Sequence, residues 1–201
     1  MGGDGDGFAI GCGHFVHAAR RNIDITYVLM NNQVYSLTKG QTSPTSDRGF
    51  ITKTSPEGAE EAPVNTLLMA LTAGATFVGC GFSSDVAGLG SLIAAAVKHK
   101  GFSFINVMSP CVTFNKLNTY DYYKKQAYKL EDEAGYDPFS YEKALETAAA
   151  YFERKPLGVL FKCETSVFKE VHMSSHPVPP ALQDISDPVK HKHLMDQYLR
   201  H

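Results

Sequence analysis

Two periods of apolar and polar positions alternate along the chain. From residue 9 to 21, Ile10, Phe15, Val16 and Ala19 fall at helical spacing and predict a helix with those four on its buried side. Ile25 to Met30 is a short β-branched and apolar run, the pattern of a buried parallel strand. Pro63 suits a first helical position and predicts a helix to about Ala73 through Leu67, Leu68 and Leu71. Thr76 to Gly79 reads as a short strand. Asp85 to Lys100 predicts a second clear helix with Leu89, Leu92, Ile93, Ala96 and Val97 inward, stopped by Gly101. Phe102 to Met108 is a strand, Tyr141 to Phe152 a helix and Leu157 to Cys163 a last strand. This order of strands and helices is that of an open α/β sheet, whose ligands bind beyond the C-terminal ends of the strands. Asn31 and Asn32 sit just past one such end, and Ser109-Pro110-Cys111 at another.

Three stretches lack a clear period. Residues 36–62 carry Thr38-Lys39-Gly40-Gln41 and Ser43-Pro44-Thr45, and loops of that length in compact domains are usually functional or mobile. Residues 114–137 are polar and rich in tyrosine (Tyr120, Tyr122, Tyr123, Tyr128), which reads as surface packing or as cover for the domain or a partner. From Val171 onward His, Pro and Lys dominate. Residues 1–170 are therefore expected to form one domain, and 171–201 a tail that embraces a partner or is loose. His191 and His193 suggest no third ligand, which argues against a metal there.

Charge and composition narrow the function. A net charge of −2 gives no general attraction to nucleic acid or to an anionic membrane. No apolar run reaches the roughly eighteen residues of a membrane span. Met1-Gly2-Gly3-Asp4 does not resemble a signal peptide, so a cytoplasmic location is expected. Cys12, Cys80, Cys111 and Cys163 are far apart with no CxxC, so spacing alone supports neither a disulfide framework nor a self-contained zinc or iron–sulfur motif.

The chemistry concentrates in the first forty residues. Gly3-Asp4-Gly5-Asp6-Gly7 is followed about thirty residues later by Asn31-Asn32-Gln33-Val34-Tyr35. Glycine and aspartate are common in turns, but the second half of the pattern at this distance is the spacing of a thiamin diphosphate and magnesium site. The glycines let backbone approach a pyrophosphate, and a helix start behind them aims N–H groups at it. Asp4 offers an anionic oxygen, Asn32 a neutral one and the Val34 carbonyl a third. Magnesium takes about six oxygens and commonly bridges phosphates to one or two carboxylates. A glycine turn of this kind follows a strand, and Met1 and Gly2 precede it here. The strand that should carry Asp4 is therefore expected to be missing, and the chain reads as a fragment or shortened gene product.

The stretches GGDGDGFAIGCGHFVHAARRNIDITYVLMNNQVYSLTKGQTSPTS and INVMSPCVTFN resemble the β subunit of 2-oxoacid:ferredoxin oxidoreductases, over about Gly2 to His172. The 2-oxoglutarate branch is the closer match, because the pyruvate branch has a bulky aromatic at Asp6. The resemblance implies an α/β domain with the doubly wound parallel sheet of the thiamin diphosphate-binding fold. It implies Asp4, Asn32 and the Val34 carbonyl as magnesium ligands, with Gly3, Gly5 and Asp6 in the cofactor turn and Lys39 at its mouth, where it closes the site, meets substrate or stays a solvated loop residue. Related single-chain pyruvate enzymes have an asparagine at Leu37, so one metal ligand is expected to differ. Cys111 would be the last of four ligands to a [4Fe–4S] cluster whose other three lie in an N-terminal segment this chain lacks. The implied reaction is oxidative decarboxylation of a 2-oxoacid to acyl-coenzyme A with electrons passed to ferredoxin. The implied assembly is a heterodimer with an α subunit that supplies the catalytic glutamate, so Glu57, Glu60 and Glu61 receive no acid or base role. Two other readings stand beside it: a non-oxidative thiamin-dependent decarboxylase or synthase, and a catalytically inert truncated subunit.

Overall fold

In the computed structural model, residues 1–168 are described, together with Val178, Leu182, Ser186, Lys192 and Asp196. His191, His193 and most of the expected tail lie outside the described residues. The chain divides into two compact units, residues 1–168 and 169–201, and the first carries everything that follows.

Its elements alternate as the pattern requires. β1 (Gly2–Gly3) leads through a π-helical turn (Asp6–Ile10) into α1 (Cys12–Arg20), then β2 (Ile25–Asn31), α2 (Thr66–Thr72), β3 (Phe77–Phe82), α3 (Val86–Lys98) and β4 (Phe102–Met108). α4 (Tyr120–Gln126), β5 (Ala127–Lys129), α5 (Tyr141–Ala149) and β6 (Lys155–Lys162) complete the unit. The six strands form one sheet in the order β1-β2-β4-β3-β6-β5. All pairs are parallel except β3 with β6, which is antiparallel. The sheet is thus mostly parallel rather than wholly so; an apolar run reads the same in either direction.

Side chains of β4 alternate across the sheet. Phe102, Phe104 and Met108 pack with Phe15 and Ala19 of α1, Leu67, Ala70 and Leu71 of α2, and Ala144 and Ala148 of α5. Ile105 and Val107 face Leu92 and Ala96 of α3 on the other side. Helices therefore cover both faces, which is the doubly wound arrangement. Phe15 anchors the larger core, with its ring edge-on to Phe102 and Phe104.

Several expectations shift. Ile10 is 93% exposed, because Gly11 N donates to Asp6 O across a π turn and rotates Ile10 off the buried face. Val97 is exposed, so the inward stripe of α3 is narrower than its apolar count. α2 starts at Thr66 rather than at Pro63: Asn65 is its cap, accepting from Leu68 N at 3.0 Å. Asn31 ends β2 instead of following it. The strand before Asp4 is present but short, as Gly2 and Gly3 pair with Leu29 and Met30. The tyrosine-rich stretch holds α4 and β5, and Tyr123 is fully buried rather than on the surface. No helix among the described residues is long and apolar enough to cross a membrane.

Candidate functional site

Because β1, β2 and β4 run parallel, their C-terminal ends bring Asp4, Asn32 and the Ser109-Pro110-Cys111 loop to one edge of the sheet. Ser109 N donates to Asn31 O at 2.9 Å and Asn115 Nδ2 to Asn32 O at 3.2 Å, so the second and third of these segments are tied together.

Asp4 is the centre of the arrangement. It is 2% exposed, and its two oxygens face only neutral donors. Oδ1 accepts from Asn32 N at 3.3 Å; Oδ2 accepts from Ser43 Oγ at 2.5 Å and Thr45 Oγ1 at 2.8 Å. Burial holds its carboxyl above the ordinary 3.8, with the Ser43 and Thr45 hydroxyls and the backbone N–H groups of Asn32 and Asp4 itself pulling the other way. No ion pair among the described residues involves Asp4 or the exposed Asp6. Both carboxylates also push up the hydroxyls of Tyr27 and Tyr35, after burial, which is the larger cause for each. Asp4 is therefore a buried carboxylate with no ion-pair partner among the described residues, an environment a divalent metal satisfies.

The turn after β2 presents the other oxygens. Asn32 Oδ1 accepts from Val34 N at 3.1 Å, and Asn32 Nδ2 donates to Ser36 Oγ at 2.8 Å. Gln33 between them is held at φ 57°, unusual for a residue with a side chain. Three contacts hold it there: Nε2 donates to Thr45 O (2.9 Å) and Asp47 Oδ1 (3.2 Å), and Oε1 accepts from Tyr123 Oη (2.5 Å). Asn118 Nδ2 donates to the other oxygen of Asp47 at 2.8 Å. The strained turn is thus locked by α4, the 43–47 loop and the 115–118 loop.

The glycines of the first motif have different jobs. A Cβ on Gly3 would meet nothing within 4 Å, so its backbone is open to a ligand. A Cβ on Gly5 would lie 2.0 Å from Tyr35 Cε1. Gly5 is small because Tyr35 packs on it, and Tyr35 Oη donates to Gly5 O at 3.2 Å. Tyr35 and Ser43 also line a groove of about 580 Å³ with residues of the 54–62 segment.

Lys39 is exposed in a turn closed by the Tyr35–Gln41 bridge, with φ 77°. Leu37 is 97% exposed and apolar and offers no side-chain ligand. Cys111 is half-buried. Burial raises its thiol, but donation from Phe114 N–H, the Ser36 hydroxyl, Thr113 N–H and Asn115 N–H outweighs that and brings it below the usual 9.0. Such a nest suits a thiolate ligand. The described residues hold no group of three or more His, Cys, Asp or Glu, so they do not by themselves build a four-thiolate cluster site.

Ser43, Thr45, Gln33, Asp47 and Asn115 were not among the residues the sequence nominated. The one signal in the chain was the run of hydroxyls Ser43-Pro44-Thr45-Ser46 after the asparagine turn.

Fold and site together define a thiamine pyrophosphate-binding domain. Residues 1–107 match the family of the thiamine pyrophosphate enzyme C-terminal TPP-binding domain. Residues 111–176 match the family formed by the C-terminal part of the pyruvate ferredoxin oxidoreductase beta chain. The chain belongs to this thiamine pyrophosphate-binding family, and it is similar to the β subunits of 2-oxoacid:ferredoxin oxidoreductases, an oxidoreductase family. It is 41% identical to the 2-oxoacid:ferredoxin oxidoreductase subunit beta of Saccharolobus solfataricus, over 81% of this chain and 56% of that protein. It is 40% identical to subunit beta of the 2-oxoacid:ferredoxin oxidoreductase 1 of Aeropyrum pernix, over 92% of this chain and 63% of that protein. The solved 2-oxoglutarate:ferredoxin oxidoreductase from Magnetococcus marinus, with 2-oxoglutarate, coenzyme A and succinyl-CoA bound, superposes with a TM-score of 0.84 at 37% identity. That match covers 96% of this chain and 65% of the solved one. The chain thus spans between 56% and 63% of the length of these two curated relatives.

Proposed function

We propose that this chain is the thiamin diphosphate- and magnesium-binding part of a cytoplasmic β subunit. With an α subunit it would oxidatively decarboxylate a 2-oxoacid, 2-oxoglutarate first, to acyl-coenzyme A and pass electrons to ferredoxin. The observation that carries the reading is Asp4: a buried carboxylate at a strand end, oriented by neutral donors and with no ion-pair partner among the described residues. Asp4, the Asn32 side-chain oxygen and the Val34 carbonyl would hold the metal. One lone pair of Asn32 Oδ1 is engaged by Val34 N–H and leaves the second for a cation. The open face of Gly3 is where the diphosphate would approach backbone. Thiamin diphosphate, when bound, supplies the electron sink that lets a 2-oxoacid lose carbon dioxide. Gln33, locked by Tyr123 and Asp47, keeps Asn32 and Val34 fixed toward the metal.

Lys39, exposed in its turn, would meet substrate at the mouth of the site. Cys111 would be one of four cluster thiolates in a full-length parent, with three supplied from outside the described residues. The 2-oxoglutarate preference is supported by the bound compounds of the Magnetococcus structure and by a relative named 2-oxoglutarate oxidoreductase subunit KorB, from Mycobacterium tuberculosis, 47% identical over 56% of this chain. The test is reconstitution with an α subunit, coenzyme A, thiamin diphosphate and magnesium. Dye reduction that depends on 2-oxoglutarate and vanishes with Asp4→Ala is expected. Decarboxylation without dye reduction would point to the non-oxidative reading. Full activity in Asp4→Ala would overturn the site.

A further inference from the structure

A line of buried polar side chains crosses the sheet behind Asp4, and none belongs to the ligand set proposed above. Thr45 Oγ1 lies 2.8 Å from Asp4 Oδ2 and 3.0 Å from the carboxamide of Asn31. Asn31 meets the carboxamide of Asn106 at 3.0 Å. Asn106 meets Tyr151 Oη at 2.9 Å and Cys80 Sγ at 3.6 Å. Thr45 and Asn31 are buried, Asn106 and Cys80 fully so, and Tyr151 is 6% exposed.

Counting hydrogen bonds favours one direction for this line. In one orientation Asn31 Nδ2 donates to Asn106 Oδ1, and Asn106 Nδ2 donates to Tyr151 Oη. Thr45 then faces two acceptors, Asp4 Oδ2 and Asn31 Oδ1, with one proton. The Tyr151 hydroxyl proton, deep in the core, is left without an acceptor in the line. An amide's oxygen and nitrogen occupy equivalent positions, so both carboxamides can be turned over in place. Tyr151 Oη and the Cys80 thiol then donate to Asn106 Oδ1, Asn106 Nδ2 to Asn31 Oδ1, Asn31 Nδ2 to Thr45 Oγ1, and Thr45 to Asp4. Every hydroxyl and thiol proton in the line then has an acceptor, at the loss of the second Asn106 N–H contact, which faced Cys80 Sγ in the other orientation, and each bond polarises the next toward the carboxylate.

We propose that Tyr151, Asn106 and Asn31 form a one-way hydrogen-bond relay that positions and polarises Thr45 on Asp4, making them positioning residues for the metal carboxylate. This rests on the reading of Asp4 as a magnesium ligand. The relay links α5 and the adjoining turn, on the packed face of the sheet, to a site at the strand ends.

The experiment has two arms on the same labelled chain. Nuclear Overhauser contacts of the Asn31 carboxamide protons should run to Thr45 and not to Asn106; the reverse overturns the relay. Magnesium titrations at fixed thiamin diphosphate should show Thr45→Val weakened about tenfold or more and Thr45→Ser restored. Tyr151→Phe should weaken binding about two- to threefold while staying folded. Loss of magnesium binding in Asp4→Ala with unchanged affinity in Tyr151→Phe would overturn the relay and spare the metal site. An unaltered chain that binds no magnesium would overturn both.

Discussion

Gly5→Ala separates two reasons for a glycine in the cofactor turn. Gly5 has φ −66° and ψ −36°, a conformation any residue adopts, so backbone freedom is not at stake. Space is. The new Cβ would lie 2.0 Å from Tyr35 Cε1, 2.5 Å from Cδ1 and 2.7 Å from Cζ. Carbon atoms in contact sit about 3.5–4.0 Å apart, so the ring must retreat by ~1.5 Å. It is not free to do so cheaply. Tyr35 Oη donates to Gly5 O, and its backbone is bonded to Gln41 O (2.9 Å) and to Gly40 N (2.8 Å). Overpacking of this kind costs about 1–3 kcal/mol. For a chain of this size each kcal/mol moves the melting temperature by ~2–4 °C. Gly5→Ala should therefore melt ~2–12 °C below the parent by calorimetry. Added to Tyr35→Ala, the same change should cost less than ~0.5 kcal/mol, because the two residues are coupled through this contact. A Gly5→Ala chain that melts with the parent, or a loss that Tyr35→Ala does not absorb, refutes the steric account.

Other outcomes follow from the same contacts. Burial raises the Asp4 carboxyl, so the metal-free folded chain holds that proton more tightly than the unfolded chain. The stability it contributes is full below about pH 4 and is lost as pH rises through the folded value. Asp4→Asn should flatten that part of the melting-temperature profile and raise the metal-free melting point at neutral pH. Cys80, fully buried and pushed up to about 12, should resist alkylation, whereas the lowered, half-buried Cys111 should react first. Mass mapping after a brief iodoacetamide pulse checks the order, and early labelling of Cys80 would contradict it. Gly101 sits at φ 127°, where a Cβ would lie 2.4 Å from Asn22 Oδ1 and 2.5 Å from Thr76 Oγ1. Gly101→Ala should cost at least about 1–3 kcal/mol in urea unfolding, and a neutral result would contradict that packing.

Much of this was legible in the residues. β2, β4 and α3 announce themselves because burial on both faces, or on one helical stripe, imposes its own period. Asp4, Asn32 and Val34 were nominated by the spacing of the two motifs, and the fold brings Asp4 Oδ1 within 3.3 Å of Asn32 N. The direction of β6 was not, since pairing sense leaves no mark on a short apolar run. Tyr123 was read with its surface-like neighbours, yet its hydroxyl is satisfied by Gln33 ninety residues away in sequence. Ile10 was misplaced because a single π turn shifts the helical phase. Ser43 and Thr45 reach Asp4, and Asn106 reaches Asn31, only through the fold, and the contact between Asn31 and Asn106 across strands leaves no local pattern.

The most direct test of the account is a calorimetric titration of thiamin diphosphate into this chain with magnesium, with chelator, and with Asp4→Asn. The account predicts binding with magnesium that disappears with chelator and in Asp4→Asn. Equal binding in all three, or none with magnesium, would contradict the claim that Asp4 and the asparagine turn form a magnesium–diphosphate site.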